Sequence, residues 1–96
     1  MAEKRKEEKI RKHIFFSGMV QGVGFRYRAY YAAQSLGLTG WVKNLWDGRV
    51  EMEIQGDEET ISQMLEQLYN GRFVSVEKIE SEGIPVKQES GFRVRG

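Results

Sequence analysis

Between Ser17 and Tyr31 the chain reads SGMVQGVGFRYRAYY. Gly18, Gly22 and Gly24 give this stretch backbone freedom, and Arg26 follows at its end. Glycine takes positive φ at little steric cost, so such a loop can turn successive backbone N–H groups inward. A helix starting directly after it adds the positive end of its dipole, and the amides then form an anion site. Arg26 would stand in that helix's first turn, where a positive charge costs ~0.3–1 kcal/mol unless an anion offsets it. Its planar guanidinium can grip two oxygens at once, which suits a phosphoryl dianion. The same residues also read as a plain tight connection with Arg26 on the surface, and spacing alone leaves the two readings level.

Other phosphate motifs fail. GxGxxG counted from Gly22 and Gly24 needs glycine where Tyr27 stands, and a P-loop needs a Gly-Lys-Ser/Thr that occurs nowhere. QGVGFRYR echoes an RNA-recognition motif found on βαββαβ folds. That motif belongs on the third strand, whereas here it precedes the first helix, and the third-strand segment RVEMEIQ offers glutamates where bases would stack. Charge points away from nucleic acid as well. Residues 13–96 hold nine Lys/Arg against eleven Asp/Glu, or −2, whereas a body that grips phosphate backbones is basic.

The basic excess lies in residues 1–12, where six lysines and arginines face three glutamates, or +3. The mixed signs suit a solvated, flexible arm ahead of one domain at 13–96. The chain has no cysteine and one histidine, His13, which excludes a disulfide framework, a thiolate nucleophile and a His-rich metal site. His13 reads as a strand-start residue. There is no apolar run of the ~18–20 residues that a membrane span needs, and the N-terminus is charged rather than signal-like. The expectation is a cytoplasmic protein.

The elements that must position the loop follow from periodicity. Ile14–Ser17 is a short β-like run. Phe25–Leu36 reads as a helix with Phe25, Ala29, Ala32, Ala33 and Leu36 on one face, stopped by Gly37. Leu38–Asn44 is a strand, and Asp47-Gly48 signals a hairpin turn into the alternating strand Arg49–Gln55. Asp57 caps a helix over Glu58–Asn70, with Ile61, Met64, Leu65 and Leu68 as its stripe and Gly71 as its stop. Val74–Glu82 is a fourth strand, out of phase enough to predict a bulge at Glu77 or Lys78. Phe92–Arg95 is a short last strand. The order βαββαβ plus that strand predicts an α+β, ferredoxin-like split βαβ sandwich, with a mostly antiparallel sheet and two helices on one face. Trp41 and Trp46 read as packing residues, Tyr27, Tyr30 and Tyr31 as divided between core and surface, and Asp47 as a turn former. Asn44, just before the hairpin, reads on its own as a turn residue.

Gly18-Met19-Val20-Gln21-Gly22-Val23-Gly24-Phe25-Arg26 resembles the first signature of the acylphosphatases. Gly40-Trp41-Val42-Lys43-Asn44, continuing through Gly48, Val50 and Gly56, resembles the second. The likeness covers roughly residues 13–95. Phe16, where an aliphatic residue is commoner, and the charged arm are its departures. The resemblance implies hydrolysis of a carboxylic–phosphoric mixed anhydride to a carboxylate and inorganic phosphate, without metal or cofactor, and the chain is expected to act as a monomer. It places the phosphate-cradling loop on Gln21, Gly22, Val23, Gly24 and Phe25, with Arg26 binding phosphoryl oxygens. It places the positioning of the attacking water on Asn44. The implied ligands are a small acyl phosphate and its product phosphate, or sulfate in its place. The competing readings are a ferredoxin-like module that binds an anion or RNA without turnover, and an interaction role for the arm.

Such sparse chemistry suits an acyl phosphate. The leaving carboxylate has a pKa of ~4 and needs no general acid. A loose phosphoryl-transfer transition state asks mainly for positioning and charge stabilisation.

Overall fold

A computed structural model of the chain describes residues 8–22, 24–70 and 74–96. Strand β1 (Ile10–Met19) leads into helix α1 (Phe25–Leu36), strands β2 (Thr39–Asn44) and β3 (Val50–Gly56), helix α2 (Glu58–Tyr69) and strands β4 (Ser75–Ile84) and β5 (Phe92–Arg95). The sheet order is β4-β1-β3-β2-β5. All neighbours are antiparallel except β2 and β5, which run parallel. This is the expected α+β sandwich.

Alternation along the strands sorts side chains between two faces. Ile14 and Phe16 of β1, Val42 of β2 and Val50, Met52 and Ile54 of β3 are fully buried. They join Phe25, Ala29, Ala32 and Ala33 of α1, Ile61, Met64 and Leu68 of α2, and Phe92 of β5 in one core. Each fully buried large side chain contributes roughly 1.5–3 kcal/mol. Helix α2 ends conventionally at its N-terminus: Asp57 accepts from the Thr60 N–H at 3.1 Å, and Glu58 and Glu59 follow in the first turn. Asn70 is its C-cap, and Gly71, expected to stop it, lies outside the described residues. The anticipated bulge falls on Glu77: Ser17 pairs with Lys78 and Gly18 with Val76.

Two expectations need correction. The sheet begins at Ile10, so residues 10–12, assigned to the arm, belong to β1. Their charges interrupt the apolar alternation and hide the strand, but the ladder continues through Ile10–Gly56, Arg11–Gln55 and Lys12–Ile54. Arg11 is 1% exposed. Its guanidinium donates to Glu53 at 2.8 Å, to Gln55 at 3.0 Å and to Glu89 at 2.7 Å, so its charge is matched inside the fold. Trp46 does not pack: at the tip of the β2–β3 turn it is 98% exposed. Trp41 is half-buried, with the Arg95 guanidinium 4.7 Å from its ring centre. The tyrosines divide as expected, Tyr30 against the core and Tyr27 and Tyr31 exposed.

Burial opposes ionisation of Glu89, but hydrogen bonds and charge from Arg11 outweigh it, and the carboxyl titrates below its ordinary value. A depressed folded-state pKa stabilises the fold above the unfolded value of ~4.3, and that contribution disappears as pH falls through the lower folded value. Denaturant unfolding from pH 6 to pH 3 is expected to show a smaller loss of stability for Glu89→Gln than for the parent chain.

Candidate functional site

The loop expected to bind an anion spans the end of β1 and the start of α1. Its ends are anchored by apolar burial. Val20 is fully buried, and the Phe25 ring meets Phe16 edge-on at 5.0 Å between centres. Between them Gly22 (φ 75°) and Gly24 (φ 80°) lie in the left-handed region. A Cβ at either would meet nothing within 4 Å, so glycine is there for the backbone angle, not for space. Val23 lies outside the described residues.

Helix α1 opens differently from α2. Gly24 is its N-cap, no side chain caps it and no acid lies in its first turn. Its first backbone bond runs from the Arg28 N–H to the Gly24 carbonyl at 2.9 Å. The amides of the first turn therefore have no partner within the helix. Arg26 stands beside them, half-buried. Its Nη1 donates to the backbone oxygens of Gly96 at 3.0 Å and Arg95 at 3.5 Å, at the end of β5. The other donors of the fork bond no described residue and can serve a ligand.

Asn44 ends β2, opposite Val50. The turn after it is closed by the Leu45 N–H donating to the Arg49 carbonyl at 2.8 Å and the Gly48 N–H donating to Leu45 at 3.2 Å. Asp47 accepts from the Arg49 N–H at 3.1 Å and from its Nε at 2.9 Å. The backbone N–H of Arg49 is the main reason its carboxyl titrates below the ordinary range. Asp47 is thus a turn former, held anionic by its own turn and poorly suited to act as a base.

Gln21 joins the two halves. Its Nε2 donates to the carbonyls of Leu45 at 2.7 Å and Arg49 at 2.8 Å. The sequence places Gln21 in the cradle but gives no sign of this brace, because its partners are carbonyls 24 and 28 residues away. Gln21→Ala leaves both carbonyls without this donor, and each lost bond is worth ~0.5–1.5 kcal/mol. The variant is expected to melt at a lower temperature and to lower kcat. Gln21→Glu, which sets a carboxylate against two carbonyl oxygens, is expected to be worse than alanine in both thermal melts and steady-state kinetics.

Val20, Gly22, Gly24, Phe25, Arg26, Tyr27 and Asn44 line one cavity of about 150 Å³. At ~30 Å³ per water it holds about five water volumes. That is room for a phosphoryl group and a water, but not for a sizeable acyl chain. Val20 and Tyr27 are additions to the residues expected there, and Gln21, expected in the cradle, is not in this lining. One polar atom in this wall stands out: Asn44 Oδ1 is buried and has no hydrogen-bond partner among the described residues. Buried acceptors are nearly always satisfied, which makes this atom an exception among the described residues. Among the described residues no three His, Cys, Asp or Glu side chains gather as metal ligands. No described helix is long and apolar enough to cross a membrane.

Residues 12–94 match the acylphosphatase family model. An acylphosphatase of Bifidobacterium longum is 43% identical over 89 residues, covering 90% of this chain and 92% of that protein. The acylphosphatase structure from Coxiella burnetii superposes with a TM-score of 0.84 at 41% identity, covering 99% of this chain and all of that one. The acylphosphatase from Bacillus subtilis gives 0.85 at 35% identity, over 91% of this chain and 99% of that one.

Proposed function

Because this chain belongs to the acylphosphatase family, hydrolases of acyl phosphates, we propose that its reaction runs in the cavity between the glycine loop and the end of β2. The observation that carries this reading is the meeting of three unspent resources in one wall. These are the amide end of α1, which no side chain caps, the Arg26 guanidinium with donors that bond no described residue, and the Asn44 side chain at the end of β2.

The substrate phosphoryl group sits on the loop amides of residues 21–25, with Arg26 chelating two of its oxygens. Charge that spreads over those oxygens in the transition state meets donors already aligned, so little reorganisation is required. Asn44 holds a water in line with the bond from phosphorus to the acyl oxygen. Attack forms the new P–O bond as the old one breaks, and the electron pair leaves with the carboxylate. The water's proton passes to a phosphoryl oxygen, since Asp47 is engaged in its turn. The acyl group lies outside the small cavity, so activated carboxylates of different shape are substrates. Inorganic phosphate, or sulfate in its place, occupies the same cradle. The setting proposed is the cytoplasm, with the chain acting as a monomer.

The decisive test follows loss of benzoyl phosphate in EDTA, without added metal. Fast hydrolysis by the parent chain, with Arg26→Ala and Asn44→Ala both impaired, is the expected result. Phosphate binding without hydrolysis would leave an anion-binding module instead.

A further inference from the structure

We infer that Glu89 is a positioning residue for Arg26, acting from the β4–β5 connection through strand β5. The inference rests on reading Arg26 as the phosphoryl ligand.

Arg26 takes its place from the two carbonyls of Arg95 and Gly96, at 3.5 and 3.0 Å. Where those carbonyls lie depends on β5. That strand has four residues and pairs on one side only, with β2. A parallel strand that slips by two residues keeps the same side chains inward while moving its carbonyls by about 6.6 Å. Side-chain alternation therefore does not hold the register of so short an edge strand by itself.

The connection before β5 supplies the hold. Glu89 grips Arg11 with both oxygens, at 2.7 and 3.4 Å. Two residues earlier, Gln55 closes a reciprocal pair with the Lys87 backbone. Its Nε2 donates to the Lys87 carbonyl at 2.8 Å, and its Oε1 accepts from the Lys87 N–H at 3.0 Å. Two residues later, the Gly91 carbonyl accepts from the Gly40 N–H at 3.1 Å, where the β2–β5 ladder starts. Arg11 itself cannot shift, being buried in β1 and bonded to Glu53 and Gln55 of β3. The Arg11–Glu89 pair thus ties the start of β5 to the two central strands, and the far end of β5 holds Arg26. Glu89 does not line the phosphate cavity.

A residue that only stabilises the fold changes melting temperature. A residue that positions Arg26 also changes phosphate affinity, and does so only while Arg26 is present. Calorimetric titration with inorganic phosphate, well below the melting temperature, separates the two. Glu89→Ala is expected to weaken phosphate about 5–10-fold, a coupling of ordinary size for groups in one network. Glu89→Gln, which keeps an oxygen for Arg11, is expected to recover part of that. In an Arg26→Ala background, Glu89→Ala is expected to change phosphate affinity no further. Parent-like affinity in folded Glu89→Ala overturns the inference, and so does an undiminished loss in the Arg26→Ala background. If the alanine variant does not fold, Glu89→Gln carries the same comparison with a smaller expected loss. Parent-like affinity in Arg26→Ala itself removes the reading of Arg26 and the inference with it; loss there with none at Glu89 removes only the inference.

Discussion

Arg26→Ala is expected to lower kcat/KM for benzoyl phosphate by at least about 10²–10³-fold and to weaken inorganic phosphate in the same experiment. One preorganised charge-stabilising contact is worth ~2.7–4 kcal/mol, and a bidentate guanidinium supplies more than one. Both constants fall because the phosphoryl oxygens are present in substrate, transition state and product alike. Arg26→Lys is expected to recover only part of the loss. A lysine ammonium restores charge but lacks the planar fork, one arm of which lies on the Arg95 and Gly96 carbonyls while the rest faces the ligand. Steady-state kinetics and phosphate titration on the same preparations check this. Full activity of Arg26→Lys would mean that charge alone suffices and that the fork geometry is incidental.

Asn44→Ala separates the two constants. Asn44 contributes a neutral amide to the wall, so phosphate affinity is expected to stay within a few-fold of the parent chain. Turnover is expected to fall by about 10²–10³-fold, the usual cost of removing one group aligned with the transition state. Removing the side chain costs no hydrogen bond from Oδ1 to a described residue. The variant is therefore expected to melt no lower than the parent. An inactive variant that melts like the parent and binds phosphate normally is the signature of a residue kept for chemistry. Normal turnover by Asn44→Ala would return Asn44 to the role of a turn residue.

The helices were legible because periodicity and caps agree there. Phe25, Ala29, Ala32 and Ala33 share a face, and Gly37 terminates α1 with φ 71°. The bulge at Glu77 was legible as a break in alternation. The start of β1 was not, because Arg11 and Lys12 carry charge where the eye expects apolar residues. Only partners 42 and 78 residues away, Glu53 and Glu89, explain a buried Arg11. Trp46 was misread for the opposite reason: its size argues for burial, but the turn projects it into solvent. In the candidate site, Gly22, Gly24, Phe25, Arg26 and Asn44, which the resemblance singled out, line one cavity. The contacts that shape it were not legible. Gln21 reaches the β2–β3 turn and Arg26 reaches the end of β5 through backbone carbonyls, and every residue has one. Nothing in a sequence marks which carbonyl will be used.

The placement of β1 at the inside of the sheet has a further consequence, for the time the chain takes to fold. Its neighbours are β3, about 40 residues on, and β4, whose Ile84 pairs with Arg11 across more than 70 residues of chain. Each such pairing closes a long loop before any contact rewards it, so the folding barrier is largely entropic. A growing chain that has made the glycine loop and Asn44 still lacks the strand that completes the sheet around β1. High contact order of this kind goes with folding in milliseconds to seconds rather than microseconds. The glycine loop and Asn44 precede β4 and β5 in the chain, yet Arg26 has its backbone partners only once β5 is in place.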